Sequence, residues 1–254
     1  MEANLSQLFR RLLLFMIIGA SLFLSACYTT PPNPATPHDP LQHLNRDAVR
    51  FNDKLDKAVL KPVAKGYTAI TPYVVRRSVG NFFSNLDEIP VVFNDFLQGD
   101  VEWGFSDIWR FIINTTVGIF GLFDPASHIG LMPHRNDFGL TLNRWHIYTP
   151  YLVLPVLGPN TIGSSLGIPI DYYVGLRTRI FSFRVRVALF ILNGINRRAA
   201  LLQLEKTANQ LIIDPYTFQR SAYLQFRAHL LQINKNGPQF PSEDDAEDND
   251  NSEG

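Results

Sequence analysis

The chain has 254 residues, with 23 Lys and Arg against 23 Asp and Glu and a single cysteine. One cysteine excludes a disulfide within the chain even in an oxidising compartment, and the basic residues form no dense run of the kind that binds nucleic acid. The balanced charge hides a segregation: Ser242–Gly254 carries seven acidic residues, whereas residues 28–240 carry 21 Lys and Arg against 15 Asp and Glu, a net of +6.

Arg10 and Arg11 precede the apolar run Leu12–Phe23, and the small residues Ser25 and Ala26 follow it. A charged start, a short apolar stretch and a small-residue cleavage site predict a secretory signal peptide over 1–26. Cys27 stands directly behind it in Leu24-Ser25-Ala26-Cys27, which resembles the lipobox of bacterial lipoproteins. That resemblance implies lipidation of Cys27 after cleavage, and Tyr28 in place of an aspartate implies sorting to the outer membrane. Each buried methylene contributes about 0.8 kcal/mol, so several acyl chains on one residue hold a protein stably on a bilayer. Pro31, Pro32, Pro34 and Pro37 make residues 27–38 an extended tether behind that anchor. Later apolar stretches such as Ile119–Phe123 and Val187–Leu192 are far shorter than the ~20 residues of a spanning helix.

A mainly α-helical domain is expected over 39–237. Asp39 caps a first helix opened by Pro40. Leu41, Leu44, Ala48, Phe51, Leu55 and Ala58 then recur at three- and four-residue steps, until Pro62 and Gly66 interrupt. Pro72 opens a second helix, Asp87-Glu88-Ile89-Pro90 starts a third that ends near Gly99, and Asp100 caps a fourth that runs toward Gly118. From Gly118 to Pro169 the periodicity fails, and alternating Gly and Pro predict an irregular central segment of turns and short extended pieces. A long irregular stretch is unusual in a compact domain and is often functional. Arg177–Leu211 returns to helical composition, with Phe181–Leu192 its most apolar part. Asp214-Pro215 starts a last helix that Asn236-Gly237-Pro238 ends. The acidic tail 238–254 is expected to be disordered and solvated.

Gly163-Ser164-Ser165-Leu166-Gly167 matches the G-x-S-x-G nucleophile elbow, with Ser165 as nucleophile and Asp171 or Asp214 and then His229 in triad order. Pro159 before it and Pro169 after it oppose the strand and helix that the elbow needs. Glycine-rich turns are therefore the favoured reading, and a lipid esterase the alternative. The six histidines show no metal-ligand spacing, and neither a metal nor a cofactor is expected.

Several stretches together resemble the MlaA (VacJ) family of outer-membrane phospholipid-transport lipoproteins. They are Asp39-Pro40-Leu41 with Asn45-Arg46, Phe51-Asn52, Lys61-Pro62-Val63-Ala64, the run from Asn81 to Pro90, and Asn94-Asp95-Phe96-Leu97-Gln98-Gly99-Asp100. Arg110-Phe111-Ile112-Ile113-Asn114-Thr115, Pro133-His134-Arg135, the run from Phe138 to Leu142, Pro150-Tyr151 and Asp214-Pro215-Tyr216 complete the pattern. The resemblance implies a compact, ring-shaped helical domain embedded in the outer membrane beside trimeric porins. It also implies an amphipathic channel that moves misplaced phospholipids from the outer leaflet toward a periplasmic lipid-carrier protein, without enzymatic chemistry. Phe51 and Asn52 stand where the family has an aromatic–Asn pair near the channel. Leu142, Tyr151 and Phe190 are expected to line the lipid path or meet the bilayer, because they lie in the apolar segment Gly139–Gly167 and the helix Phe181–Leu192. Arg184 and Arg186 edge that most apolar helix and are the candidates for headgroup phosphate. After Leu142 the family has a glycine-rich run, and here Asn143-Arg144-Trp145-His146-Ile147 departs from it.

Overall fold

A computed structural model describes residues 39–208 and 214–238. The leader, Cys27, the proline-rich tether and the acidic tail beyond Pro238 lie outside the described residues.

The first helix, α1, spans Gln42–Leu55. Its entry is a turn in which the Asp39 carboxylate accepts the Leu41 N–H at 3.1 Å. Pro62, expected to stop this helix, does not. Asp56–Leu60 widen into a π turn closed by Lys61 N–H donating to the Asp56 carbonyl, and α2 (Lys61–Ile70) continues with Pro62 in its first turn. A proline needs no N–H partner there, and the wider turn clears its ring from the preceding carbonyl.

Helix α3 runs unbroken from Tyr73 to Gln98 with Pro90 inside it, so the second and third expected helices are one. An interior proline costs about 3 kcal/mol, which tertiary packing must offset. Helix α3 makes the most extensive helix pairing of the fold, against α4 (Val101–Thr116). Gly99, with φ of 78°, makes the turn between them, a left-handed conformation that glycine adopts without a Cβ penalty. Asp100 precedes α4 but caps no N–H of it; its carboxylate instead accepts from Arg144 at 3.0 Å.

The segment expected to be irregular contains most of the remaining short elements. They are α5 (Pro125–His128), α6 (Phe138–Arg144), an antiparallel hairpin of β1 (Tyr151–Leu154) and β2 (Gly158–Thr161), and α7 (Ile162–Val174). Its glycines serve close approach more than turning. A Cβ on Gly139 would stand 2.0 Å from Ser164 Oγ, and one on Gly167 would stand 2.9 Å from Phe138 Cβ. Helices α6 and α7 therefore touch through glycine backbone. Asp124, Asp137 and Thr161 cap α5, α6 and α7 through Ser127, Leu140 and Ser164 N–H groups.

A one-turn helix α8 (Arg177–Ile180) and a break at Phe181–Ser182 precede α9 (Phe183–Ala208), so the apolar helix starts two residues later than expected. Helix α10 (Pro215–Asn236) is capped by Asp214 and ends at Gly237, as the sequence predicts. The apolar core joins Ala48 of α1, Tyr151 and Val153 of β1, and Tyr216 and Leu224 of α10. Among the described residues no helix is long and apolar enough to cross a membrane.

Candidate functional site

The distribution of polar side chains is inverted. Among the described residues, 17 buried polar or charged side chains face 14 buried apolar ones, whereas charged side chains are almost never fully buried unless paired. Helix α4 shows the inversion on its two faces. Asp107, Arg110 and Asn114 point inward and are buried, while Phe105, Trp109 and Ile112 point outward and are 40–56% exposed. Both sets follow a three- and four-residue repeat, so the periodicity is helical but the faces are exchanged.

Many of the buried groups pair with one another, although both Asp107 oxygens and one oxygen each of Glu88 and Asp95 accept no hydrogen bond. Arg110 donates from Nε to Glu88 at 3.2 Å, from Nη1 to Ser127 Oγ at 3.1 Å and to the Leu131 carbonyl, and from Nη2 to Asp124 at 3.4 Å. His134 lies between two carboxylates, with Nε2 3.1 Å from Asp95 and Nδ1 2.8 Å from Asp107, and stacks on Trp103. Thr141 donates to Asn94, whose amide donates to Asp171. Arg227 of α10 pairs with Asp137, the cap of α6. Burial pulls the His134 pKa down, but the Asp107 and Asp95 carboxylates outweigh it and push it up to about 9. Burial, and then the Asp107 charge, raise the Glu88 carboxyl to about 8 against the pull of Arg110.

Asp95, Asp107 and His134 also bring one ligand atom each within 4.8 Å of one another, a set that could hold a cation. With its pKa near 9, the imidazolium already supplies the positive charge between the two carboxylates.

Two cavities adjoin on α3. One, of about 400 Å³, opens between α3 and α9 and is lined by Arg76, Arg77, Arg135 and Arg197 with Asn193 and Asn196. The other, of about 290 Å³, is lined by Val74, Val117, Leu122 and Phe123. Arg77 and Asn81 line both.

The residues expected at the lipid path scatter. Phe51 and Phe190 are exposed, and Leu142 is half-buried on α6. Tyr151, expected to line the path, is instead a core residue at 2% exposure, with its ring against Tyr216 and Tyr223. Asn52 is engaged with the hairpin: its amide donates to the Leu154 carbonyl at 3.0 Å and accepts from Val156 N–H at 2.8 Å. Asn45, two turns earlier, makes the same pair with the Tyr151 carbonyl and Val153 N–H. Two side-chain amides thus stand in for a neighbouring strand along β1. Asn45→Ala should cost about 2–3 kcal/mol, and the less buried Asn52→Ala about 1 kcal/mol. Faster hydrogen exchange at Val153 and Val156 respectively is the readout, and unchanged exchange would remove this role.

Arg184 is exposed, and Arg186 reaches the Tyr172 ring at 6.0 Å. Neither lines the two cavities. The guanidinium groups that do gather come from α3, the loop before α6 and α9. Apart from the adjacent Arg76 and Arg77, no spacing in the sequence marks them. Ser165 donates its hydroxyl to the carbonyl of Thr161, the cap of α7, at 2.8 Å. Asp171 accepts from Asn94 and Phe138 N–H, and His229 is exposed on α10. Among the described residues no hydrogen bond joins Ser165 to an imidazole, so the elbow match does not assemble a nucleophile with a base.

A family model for the MlaA lipoprotein matches residues 37–230. The chain belongs to the MlaA lipoprotein family. The intermembrane phospholipid transport system lipoprotein MlaA of Escherichia coli (strain K12) is 33% identical over 217 residues, covering 83% of this chain and 84% of its own. An uncharacterized protein of Rickettsia bellii (strain RML369-C) is 35% identical over 202 residues, covering 78% and 79%. A solved chain from work on the structural basis for maintenance of bacterial outer membrane lipid asymmetry superposes with a TM-score of 0.65 at 32% identity. That match covers 76% of this chain and 99% of the solved one. The stretches that carry the MlaA resemblance supply much of the buried polar network: Asp95 from Asn94–Asp100, Arg110 and Asn114 from Arg110–Thr115, and His134 from Pro133–Arg135.

Proposed function

We propose that this MlaA-family lipoprotein is a non-enzymatic conduit that removes misplaced phospholipids from the outer leaflet of a Gram-negative outer membrane. It passes them to a periplasmic lipid-carrier protein and works beside a trimeric porin. Residues 1–26 are its leader, the lipidated Cys27 is its anchor, 27–38 its tether, 39–237 its transport domain and 238–254 its acidic tail. Phe51, Asn52, Leu142 and Phe190 flank the lipid path.

The reversed amphipathicity of α4 carries this reading. Scattered exposed apolar residues are ordinary on a soluble protein, but a helix that buries Asp107, Arg110 and Asn114 while exposing Phe105, Trp109 and Ile112 fits an apolar surrounding. Acyl chains also require an apolar route and phosphates a polar one, and the two adjoining cavities offer both. The names of the E. coli relative and of the solved chain's study point to the same process.

Cells lacking the protein should accumulate phospholipid in the outer leaflet, measured by its accessibility to external phospholipase. The wild-type gene should restore asymmetry. Cys27→Ser should give an unlipidated product by mass spectrometry and fail to restore it. An unchanged outer leaflet in the deletion strain would overturn the conduit, and an unmodified Cys27 in the mature wild-type protein would overturn the anchor.

A further inference from the structure

We propose that the cavity between α3 and α9 is a phosphate-ester site that selects phospholipids by headgroup charge and favours anionic over zwitterionic ones. The inference rests on the conduit reading and adds which lipids the conduit prefers and which residues choose them.

Four guanidinium groups line this cavity, from Arg76, Arg77, Arg135 and Arg197, and no lining residue is Asp or Glu. Their local engagements leave charge unspent. Arg76 donates from Nε to the Thr71 carbonyl at 3.2 Å, a neutral acceptor. Arg135 lies 5.9 Å from the Phe226 ring and feels the Asp87 carboxylate only through space. Arg197 reaches Asp87 only at 3.5 Å, and that carboxylate accepts from Arg177 at the shorter distance of 2.6 Å. Four arginines with one carboxylate nearby, itself shared with Arg177, repel across a partly desolvated space, and an anion between them converts that repulsion into attraction. Guanidinium forks suit phosphate oxygens, which they bind bidentately. Asn193 and Asn196 add amide donors on the same wall.

The neighbouring cavity says what kind of phosphate ester belongs there. It begins at the shared Arg77 and Asn81 and continues along Val74, Val117, Leu122 and Phe123, with Asp124, which is held by Arg110, and His128 also on its wall. A ligand that places phosphate on the arginines and an apolar chain along these side chains is a phospholipid. A soluble phosphate ester would leave the apolar half unused. An ethanolamine or choline ammonium would enter a space with four arginines and no lining carboxylate, and like-charge juxtaposition of that kind discriminates against a ligand.

The test uses the purified full-length lipoprotein in detergent, with binding read by displacement of a fluorescent phosphatidylglycerol. Phosphatidylglycerol should bind about tenfold more tightly than phosphatidylethanolamine, the factor that 1.4 kcal/mol represents. Arg77→Gln combined with Arg197→Gln should remove that preference and weaken phosphatidylglycerol by tenfold or more. The double lysine variant keeps the charge and should keep the preference. Far-ultraviolet circular dichroism and thermal melting of each variant separate a lost site from a lost fold, and the preference ratio in the lysine variant decides if the glutamine variant is unfolded. Equal binding of the two lipids by the wild type overturns the selectivity while leaving the conduit intact. Absence of binding to either lipid overturns both. Glycerol phosphate binding as tightly as the lipid would overturn the lipid assignment and assign the cavity to a soluble ester.

Discussion

Arg110→Leu should lower the stability of the detergent-purified protein by about 3–5 kcal/mol, the range for removing one partner from a buried ion pair. Arg110 is 2% exposed and joins three parts of the chain: Glu88 on α3, Asp124 and Ser127 at the start of α5, and the Leu131 carbonyl beyond it. Glu88 bears little of the loss, since its pKa already stands at about 8 and it is largely protonated at neutral pH. Asp124 has no such escape. Burial opposes its charge, but bonds from Ser127 and Asn114 and the charge of Arg110 hold its pKa below the ordinary carboxylate value. The loss therefore falls on the α5 corner, where Asp124, Pro125 and His128 line the apolar cavity. Limited proteolysis should cut first near 124–131 in the variant. Arg110→Lys, which keeps charge but loses the planar fork, should fall between leucine and wild type. The double change Glu88→Leu with Arg110→Leu should recover part of the loss, because apolar pairs often replace buried ion pairs at little cost. A single Arg110→Leu change costing under about 1 kcal/mol would mean that the buried network contributes nothing that packing cannot supply.

Helix ends were the most legible part of the fold in the sequence. Asp214-Pro215, Gly99 and Gly237 mark boundaries by chemistry local to each residue, a cap or a positive φ. Pro62 and Pro90 were misleading because relief came from elsewhere: a π turn just upstream of the first, and the α3–α4 packing around the second. Glycine misled for a different reason. Gly139, Gly163 and Gly167 are spelled like turn residues, yet they lie in or beside helices and admit close neighbours. Nothing within a single segment separates a glycine that bends the chain from one that lets another chain segment approach.

The candidate site was less legible still. A three- and four-residue repeat establishes a two-faced helix, but it does not say which face turns inward, and α4 turns the polar one. In the sequence Arg184 and Arg186 stand out because they adjoin an apolar run. The arginines that share a cavity instead come from Arg76 and Arg77, Arg135 and Arg197, three places that only the folded chain brings together. His134 shows the same limit: its partners Asp95 and Asp107 lie on α3 and α4, and no histidine–aspartate spacing along the chain announces them.

Stability should fall as pH rises from about 6.5 to about 9, by roughly 3 kcal/mol from His134. Its folded pKa of about 9 lies above the unfolded value of 6.5, so between those values the folded state binds more protons than the unfolded chain. The stabilisation is complete below pH 6.5 and is lost as pH passes through 9. Glu88 acts in the same direction over a lower window, since its folded value of about 8 exceeds the ordinary 4.5 and ionisation above it is opposed by burial. The part near pH 9 therefore belongs to His134, and urea unfolding of His134→Gln in detergent should lack that part while keeping the slope below pH 8. The variant should also be weaker at pH 6, because glutamine leaves Asp95 and Asp107 facing one another without the cation that both nitrogens now supply. Imidazole nitrogen shifts give the independent check. Both nitrogens of His134 should remain protonated at pH 7.5, when a free histidine has lost its charge. A neutral ring at that pH would remove the clamp and with it the predicted slope, and would leave the pair of buried carboxylates free to take a metal cation in its place.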